Sequence, residues 1–285
     1  MPTPIITLPH ACDAHFHVFG PADRYPYASD LRYRPPTLGL DDYLEEARAM
    51  GVTRYVLVQP SAYGQDNRCM LDAMRILGTE TCRGIVDLAD DTPDSVLAEM
   101  HDLGVRGVRI NVSPVAPEQP GLAARLEPRV RLWTERCQRL GWHLDFLLPG
   151  WLTLELMPVL RAMPIPFTMA HLGMNLAKDG PDSVGFKALL QLLRDVKHAH
   201  VKMTGLYRIS TVPGFTDVRP MAEQLAETAP EQLIWGSDYP HLSFGDNHST
   251  DLLRHVLDWI PDAAHQRSLL VDTPARLFGW ETPKA

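Results

Sequence analysis

Two histidines one residue apart, His15 and His17, are the first residues whose types and spacing could do chemistry. They follow an apolar run typical of a β-strand, and side chains two positions apart on a strand point to the same side of it. Two convergent imidazoles can hold a metal ion or polarise a substrate oxygen, whereas in a dry core every ring nitrogen needs its own partner. The pair predicts a functional site if other parts of the chain complete it.

Two later segments provide the missing residues. His171 follows an apolar run that begins at Phe167, and Asp238 follows another that begins at Leu233. On its own, an aspartate in such a position could simply cap a turn. Facing three histidines, its carboxylate could hold a water molecule and take its proton, while imidazole N–H groups stabilise the oxyanion formed on a carbonyl. The sequence therefore predicts that His171 and Asp238 join the two histidines in a catalytic set.

The elements that must position these residues alternate along the chain. Short runs rich in Val, Ile, Leu and Phe alternate with amphipathic segments that begin with acidic or capping residues and end at glycine or proline. Strands are predicted over 11–18, 54–59, 83–88, 105–112, 143–148, 167–172, 200–204 and 233–237. Helices are predicted over 41–50, 92–100, 127–140, 152–162, 184–197 and 220–228, with C-terminal helices over 250–259 and 261–279.

This alternation indicates the fold class. Eight strand–helix units without a linker predict one α/β domain over residues 1–285, a single (β/α)8 TIM-type barrel with C-terminal helices. The alternative, a doubly wound open sheet, would have a glycine fingerprint after its first strand, and the segment 18–21 is not one. In a barrel of this type the active site lies at the carboxyl ends of the strands, where the four candidate residues stand.

Composition argues against several classes of function. The 285 residues are 45% hydrophobic and 22% charged, as is ordinary for a globular protein. A net charge of −8 argues against nucleic acid or an anionic membrane as a partner, although local arginines could still bind an acidic small molecule. No signal peptide or apolar span is evident, and the four cysteines form no CxxC pattern. We expect a cytoplasmic monomer or small homo-oligomer with a small-molecule substrate.

Three segments carry a resemblance to a known family, and they are Asp13-Ala14-His15-Phe16-His17, Ala170-His171-Leu172-Gly173 and Trp235-Gly236-Ser237-Asp238-Tyr239-Pro240-His241. They resemble the amidohydrolase superfamily, and within it the branch of 2-pyrone-4,6-dicarboxylate lactonases and related sugar-acid lactonases. The resemblance also covers 58–61, 107–109 and 202–208, so it extends over nearly the whole chain. It implies an amidohydrolase-like barrel that hydrolyses a lactone in the catabolism of aromatic compounds or sugar acids.

The resemblance also implies roles for individual residues. The catalytic matches are Asp238 as general base, with His15, His17 and His171 polarising the carbonyl. The matches to residues that hold the substrate's carboxylates and ring are Tyr33, Ser61, Arg109 and Arg208. Arginine suits this task because its planar fork binds a carboxylate through two parallel hydrogen bonds.

Four positions depart from the pyrone-dicarboxylate pattern. Polar or aromatic residues of those lactonases are replaced here by Val115, Leu147, Met174 and Ser243. Because the catalytic matches are intact while half of the dicarboxylate-binding matches are gone, we expect the reaction type to be kept and the substrate to differ. A ligand with one carboxylate or a more apolar ring fits these residues better.

The pyrone lactonases need no metal, so the resemblance implies no cofactor. The alternative is a zinc-dependent hydrolase or decarboxylase of the same superfamily, with His15, His17 and Asp238 as ligands and His171 as a further donor. No bridging lysine or glutamate stands on the fourth predicted strand, which argues against a binuclear centre. A third hypothesis, an inactive barrel that only binds a small molecule, would be indicated by a lost aspartate or histidine, and none is lost.

Overall fold

The computed structural model describes residues 4–29, 31, 33–112, 119–242 and 246–281. Eight parallel strands pair in sequence order in one sheet. They are β1 (Cys12–Phe16), β2 (Arg54–Val58), β3 (Cys82–Val86), β4 (Val105–Asn111), β5 (His143–Leu147), β6 (Phe167–Met169), β7 (Ala199–Met203) and β8 (Leu233–Trp235). This order confirms the predicted (β/α)8 barrel, because each apolar run forms a strand buried between its neighbours.

The barrel is completed at the seam between β8 and β1. The backbone N–H of Asp238 donates to the carbonyl of His15 at 2.8 Å, and the N–H of His17 donates to the carbonyl of Tyr239 at 2.9 Å. Gly236 permits this approach, because a Cβ there would lie 2.6 Å from the backbone nitrogen of His15. The seam therefore places His15 on β1, and His17 just after it, directly beside the aspartate that follows β8.

Helices cover the outside of the sheet. They are α1 (Leu40–Met50), α2 (Arg68–Leu77), α3 (Asp94–Asp102), α4 (Leu122–Leu140), α5 (Gly150–Arg161), α6 (Val184–Asp195), α7 (Leu206–Ile209), α8 (Arg219–Thr228), α9 (Ser249–Trp259), α10 (Ala263–Arg267) and α11 (Thr273–Phe278). Every predicted helix is present with ends displaced by a few residues, as is usual for helix termini, but the one predicted over 261–279 is divided into α10 and α11 by a π-helical turn at Ser268–Asp272. The helices α2 and α7 were not predicted. No helix within the described residues combines the length and apolar character needed to cross a membrane.

The C-terminal segment closes the amino end of the barrel. Phe278 and Trp280 pack against buried interior residues of the strands, among them Val56 and Ile85. Arg83 holds this segment against the barrel. Its Nε donates to the carbonyl of Phe278 at 2.9 Å, and its guanidinium lies 4.6 Å from the centre of the Trp280 ring. With that end filled, the opposite end of the barrel is the one available for a substrate.

Candidate active site

The structure brings the four predicted catalytic residues together at the carboxyl ends of β1, β6 and β8. The Nε2 atoms of His15 and His17 each lie 3.5 Å from Oδ1 of Asp238. The ring of His171 has its centre 5.3 Å from that of His15. Nitrogen and oxygen atoms of His15, His171 and Asp238 all lie within 4.8 Å of one another, and all three residues are buried. One small volume is thus surrounded by three imidazoles and one carboxylate.

Unusual backbone geometry points two of these side chains inward. His171 and Asp238 have φ angles of 53° and 57°, in the left-handed region that residues other than glycine rarely adopt. Gly205 makes room for the first of them, since a Cβ at that position would lie 2.5 Å from Nδ1 of His171. Such strain is often concentrated at functional sites, where the surrounding fold holds it in place.

The two oxygens of Asp238 have different surroundings. Oδ2 accepts hydrogen bonds from the hydroxyl of Tyr207 and from Nε of Arg208, the latter at 2.8 Å. Oδ1 is buried, faces the imidazoles and accepts no hydrogen bond from the described residues. Burial alone would raise the pKa of this carboxyl, but Arg208 and the histidines hold the pKa well below its usual range. Asp238 therefore carries one anchored oxygen and one oxygen available to a water molecule.

The three histidines are neutral near pH 7. Burial is the main cause that lowers the pKa of each ring, and it lowers the pKa of His171 to about 3. Nδ1 of His17 lies 2.7 Å from the carbonyl oxygen of Val58. A carbonyl only accepts, so this nitrogen carries the hydrogen and Nε2 of His17 presents a lone pair to the site. Nδ1 of His171 lies 2.7 Å from the hydroxyl of Thr204.

A buried ion pair below the histidines was not predicted from the sequence. Nζ of Lys202 on β7 lies 2.7 Å from Oδ1 of Asp145 on β5, and both side chains are fully buried. The same carboxylate oxygen accepts the hydroxyl of Thr168, and Nζ of Lys202 also lies 3.1 Å from Nδ1 of His15. Burial opposes the charge of Asp145, but Lys202 and Arg109 lower its pKa to about 2. The signal in the sequence was a charged residue inside each of two apolar strands.

The four predicted substrate-binding residues take two kinds of position. Arg109 is buried on β4, where Nη1 donates to the carbonyl of Gln59 and Nε lies 4.0 Å from Oδ2 of Asp145. Arg208, on α7, contacts Asp238 itself and keeps 28% of its side chain exposed. Tyr33 and Ser61 lie together at the surface, with their hydroxyl oxygens 3.5 Å apart. The structure thus puts Arg208 against the catalytic aspartate and Arg109 against Asp145, and it leaves the two hydroxyls at the surface.

Two of the four departures from the pyrone-dicarboxylate pattern lie within the described residues. Leu147 is half-buried at the end of β5, and Met174 is buried three residues after His171. Val115 and Ser243 lie outside the described residues. Met174 thus belongs to the hydrophobic core, and Leu147 packs against that core with part of its side chain exposed.

Comparison with known proteins agrees with this geometry. The profile of the amidohydrolase family matches residues 12–280. The chain belongs to the amidohydrolase family. Two curated relatives confirm the predicted resemblance: one is named for hydrolysis of a muconolactone, and the other is a 2-pyrone-4,6-dicarboxylate hydrolase. The 4-sulfomuconolactone hydrolase of Hydrogenophaga intermedia is 35% identical over 98% of this chain and 91% of that protein. The 2-pyrone-4,6-dicarboxylate hydrolase of Comamonas testosteroni is 32% identical over 94% of this chain and 90% of that protein.

Solved structures of similar proteins have the same fold. An apo structure from Agrobacterium tumefaciens is 26% identical, covers 99% of this chain and 100% of its own, and superposes with a TM-score of 0.85. The barrel of this amidohydrolase is therefore shared along its whole length with proteins of independently determined structure.

Proposed function

We propose that this amidohydrolase opens the lactone ring of a small carboxylated substrate without a metal cofactor. The observation that carries the proposal is the free Oδ1 of Asp238, which faces the Nε2 atoms of His15 and His17 at 3.5 Å while its partner oxygen is anchored. The activities for which the relatives are named bear out the prediction of an enzyme that hydrolyses lactones. The roles assigned below to individual residues are part of the proposal.

The reaction begins with a water molecule held by Oδ1 of Asp238. As the water oxygen forms a bond to the lactone carbonyl carbon, its proton passes to Asp238. Imidazole N–H groups stabilise the tetrahedral oxyanion, and loss of one such donor typically costs about 100-fold or more in rate. The ester C–O bond of the ring then breaks, and the leaving alkoxide takes the proton back from Asp238. The product is a hydroxy acid.

Arg208 links substrate binding to this step. It pairs with Asp238 at 2.8 Å, yet 28% of its side chain is exposed, so a substrate carboxylate can reach it. A carboxylate at that exposed edge would share the guanidinium with Asp238 and raise the pKa of Asp238 towards the range in which a base is effective. Binding of an acidic lactone would thereby activate the residue that attacks it.

The substrate we propose carries one carboxylate on a ring with apolar substituents, as in lactones formed during aromatic catabolism. Arg109 and Arg208 would bind the carboxylate, Tyr33 and Ser61 would contact the ring, and Leu147 offers apolar surface. A sugar-acid lactone is the alternative, because a D-galactarolactone isomerase of Agrobacterium fabrum is 26% identical to this chain. The alternative requires hydroxyl-binding groups in place of apolar surface.

Zinc bound to His15, His17 and Asp238 is the alternative mechanism. His17 suits a metal, because its other ring nitrogen donates to a backbone carbonyl, as ligating histidines do. His15 and Asp238 suit it poorly, because each has a cationic side chain within 3.1 Å, Lys202 and Arg208 respectively. A donor set of this kind repels a further cation, and the proposed mechanism therefore uses none.

The test is hydrolysis of a panel of muconolactones, pyrone dicarboxylate and aldonolactones by the enzyme, with its metal content assayed before and after chelation. We expect turnover of a monocarboxylated lactone that is unchanged when the metal content is close to zero. Activity that disappears on chelation and returns with stoichiometric zinc would replace the proposed mechanism with the zinc alternative. Inactivity toward every lactone in the presence of zinc would refute the proposed function.

A further inference from the structure

Lys202 lies within hydrogen-bonding distance of both His15 and Asp145. Nζ of Lys202 is 3.1 Å from Nδ1 of His15 and 2.7 Å from Oδ1 of Asp145, and all three side chains are fully buried. A lysine paired with a buried carboxylate is an ammonium, which has three hydrogens to donate and no lone pair to accept with. Nδ1 of His15 must then accept, so the hydrogen of the neutral ring stands on Nε2.

His17 has the reverse arrangement. Its Nδ1 donates to the carbonyl of Val58 at 2.7 Å, which leaves a lone pair on Nε2. That lone pair lies 3.5 Å from Oδ1 of Asp238, which is another acceptor. Two acceptors at this separation repel each other unless a donor lies near both, and a water molecule can give one hydrogen to each. His15 and His17 thus face Asp238 with opposite polarity: the first presents a hydrogen and the second a lone pair.

We propose that Lys202, held by Asp145, is a positioning residue that keeps His15 in its Nε2–H form, so that His15 donates to the oxyanion while His17 accepts from the attacking water. This inference rests on the proposed lactone hydrolysis, and it assigns a different role in that reaction to each of the two histidines. The inference also gives a reason for an ion pair at the centre of the barrel, although burying two charges is costly. The pair keeps His15 in one neutral tautomer, whereas an imidazole without such a partner is a mixture of both.

The first test needs no substrate. Nitrogen NMR on protein labelled with ¹⁵N-histidine distinguishes the two neutral tautomers, and the ring system that disappears in His15→Asn assigns the signal. At pH 7 we expect the hydrogen of His15 on Nε2 and that of His17 on Nδ1. A hydrogen on Nδ1 of His15, or an even mixture of tautomers, would overturn the inference.

The second test removes the donor. In Lys202→Met we expect the His15 signal to move towards the Nδ1–H form, and kcat to fall about 100-fold, as for loss of an oxyanion donor. Lys197→Met, an exposed lysine just before β7, is the matched control and should leave both unchanged. Unchanged kcat in a folded Lys202→Met protein would also overturn the inference.

The outcomes separate this inference from the function on which it rests. Lys202→Met leaves Asp145 buried without its partner, so Asp145→Asn, which weakens the hold on Lys202 but keeps a polar group, is the second variant. If neither variant folds, the tautomer of His15 in the unmodified protein still decides. An enzyme that hydrolyses no lactone but shows the expected tautomers would refute the proposed function, whereas an active enzyme with His15 as Nδ1–H would refute only the role of Lys202.

Discussion

Replacing Asp238 with asparagine removes the proposed base with little change in shape. Asparagine can turn its amide so that the oxygen accepts from Tyr207 and Arg208, as Oδ2 does now, and the NH2 group donates to the lone pair of His17. The contacts of Oδ2 and a donor to His17 are thus kept, but the side chain can no longer take a proton. Loss of general base catalysis typically costs about 100- to 10,000-fold in rate. We expect kcat to fall by that amount.

The cost in stability is expected to be much smaller. Removing one member of a fully buried ion pair costs about 3–5 kcal/mol. Arg208 keeps 28% of its side chain exposed, so water can help to solvate a guanidinium that has lost its charged partner, and we expect a cost of about 1–2 kcal/mol. For a domain of this size that loss lowers Tm by only a few degrees.

The assay pairs steady-state lactone hydrolysis with thermal unfolding followed by circular dichroism. Asp251→Asn is the matched control, because Asp251 forms an exposed ion pair with Arg254 on α9 and lies outside the site. It should change neither kcat nor Tm by a measurable amount. A folded Asp238→Asn protein that retains more than about a tenth of the wild-type kcat would refute the assignment of Asp238 as the base.

The lowered pKa values of the three histidines and of Asp238 in the free enzyme predict that kcat/KM stays level from pH 8 down to pH 6.5, the pKa of an unperturbed histidine; an acid limb with its midpoint at or above pH 6.5 would contradict this. Stability behaves differently. His143 and His200 have pKa values of about 4, against 6.5 when unfolded, so the unfolded chain binds more protons below pH 6.5. Their contribution is complete above pH 6.5 and decreases by about 1.4 kcal/mol per histidine per pH unit as pH falls towards 4, which Tm measured against pH will detect. Arg208→Gln should raise KM for a carboxylated lactone about tenfold or more, while an uncharged lactone should show no rise in KM.

The strand pattern was predictable because each buried parallel strand is a short apolar run between breakers, and the candidate catalytic residues could be grouped because all stand at strand ends. The pairing of Lys202 with Asp145 was not predictable in the same way. It depends on which residues of β5 and β7 face the interior at the same height, and this follows from the register that places Asp145 opposite Thr168 on β6. A single sequence does not contain that register.

Two helices were also missed. The helix α7 has four residues, too few for a periodic pattern, yet it carries Arg208 to Asp238. The resemblance had assigned Arg208 to the substrate alone, so its contact with the proposed base came only from the structure. The helix α2 was missed although Met70 and Met74 give it a buried face at helical spacing.

The charges around the site argue for the kind of anion that it binds. Three cations, Arg109, Lys202 and Arg208, surround two carboxylates, Asp145 and Asp238, and the histidines are neutral, so these five groups sum to one positive charge. A lactone with one carboxylate neutralises that charge, whereas a dicarboxylate would leave an excess negative charge in a buried volume. Hydrolysis itself converts the neutral ring ester into a second carboxylate. The product of the proposed reaction would therefore carry one more negative charge than the site can balance, next to the carboxylate of Asp238, and this repulsion would favour its release.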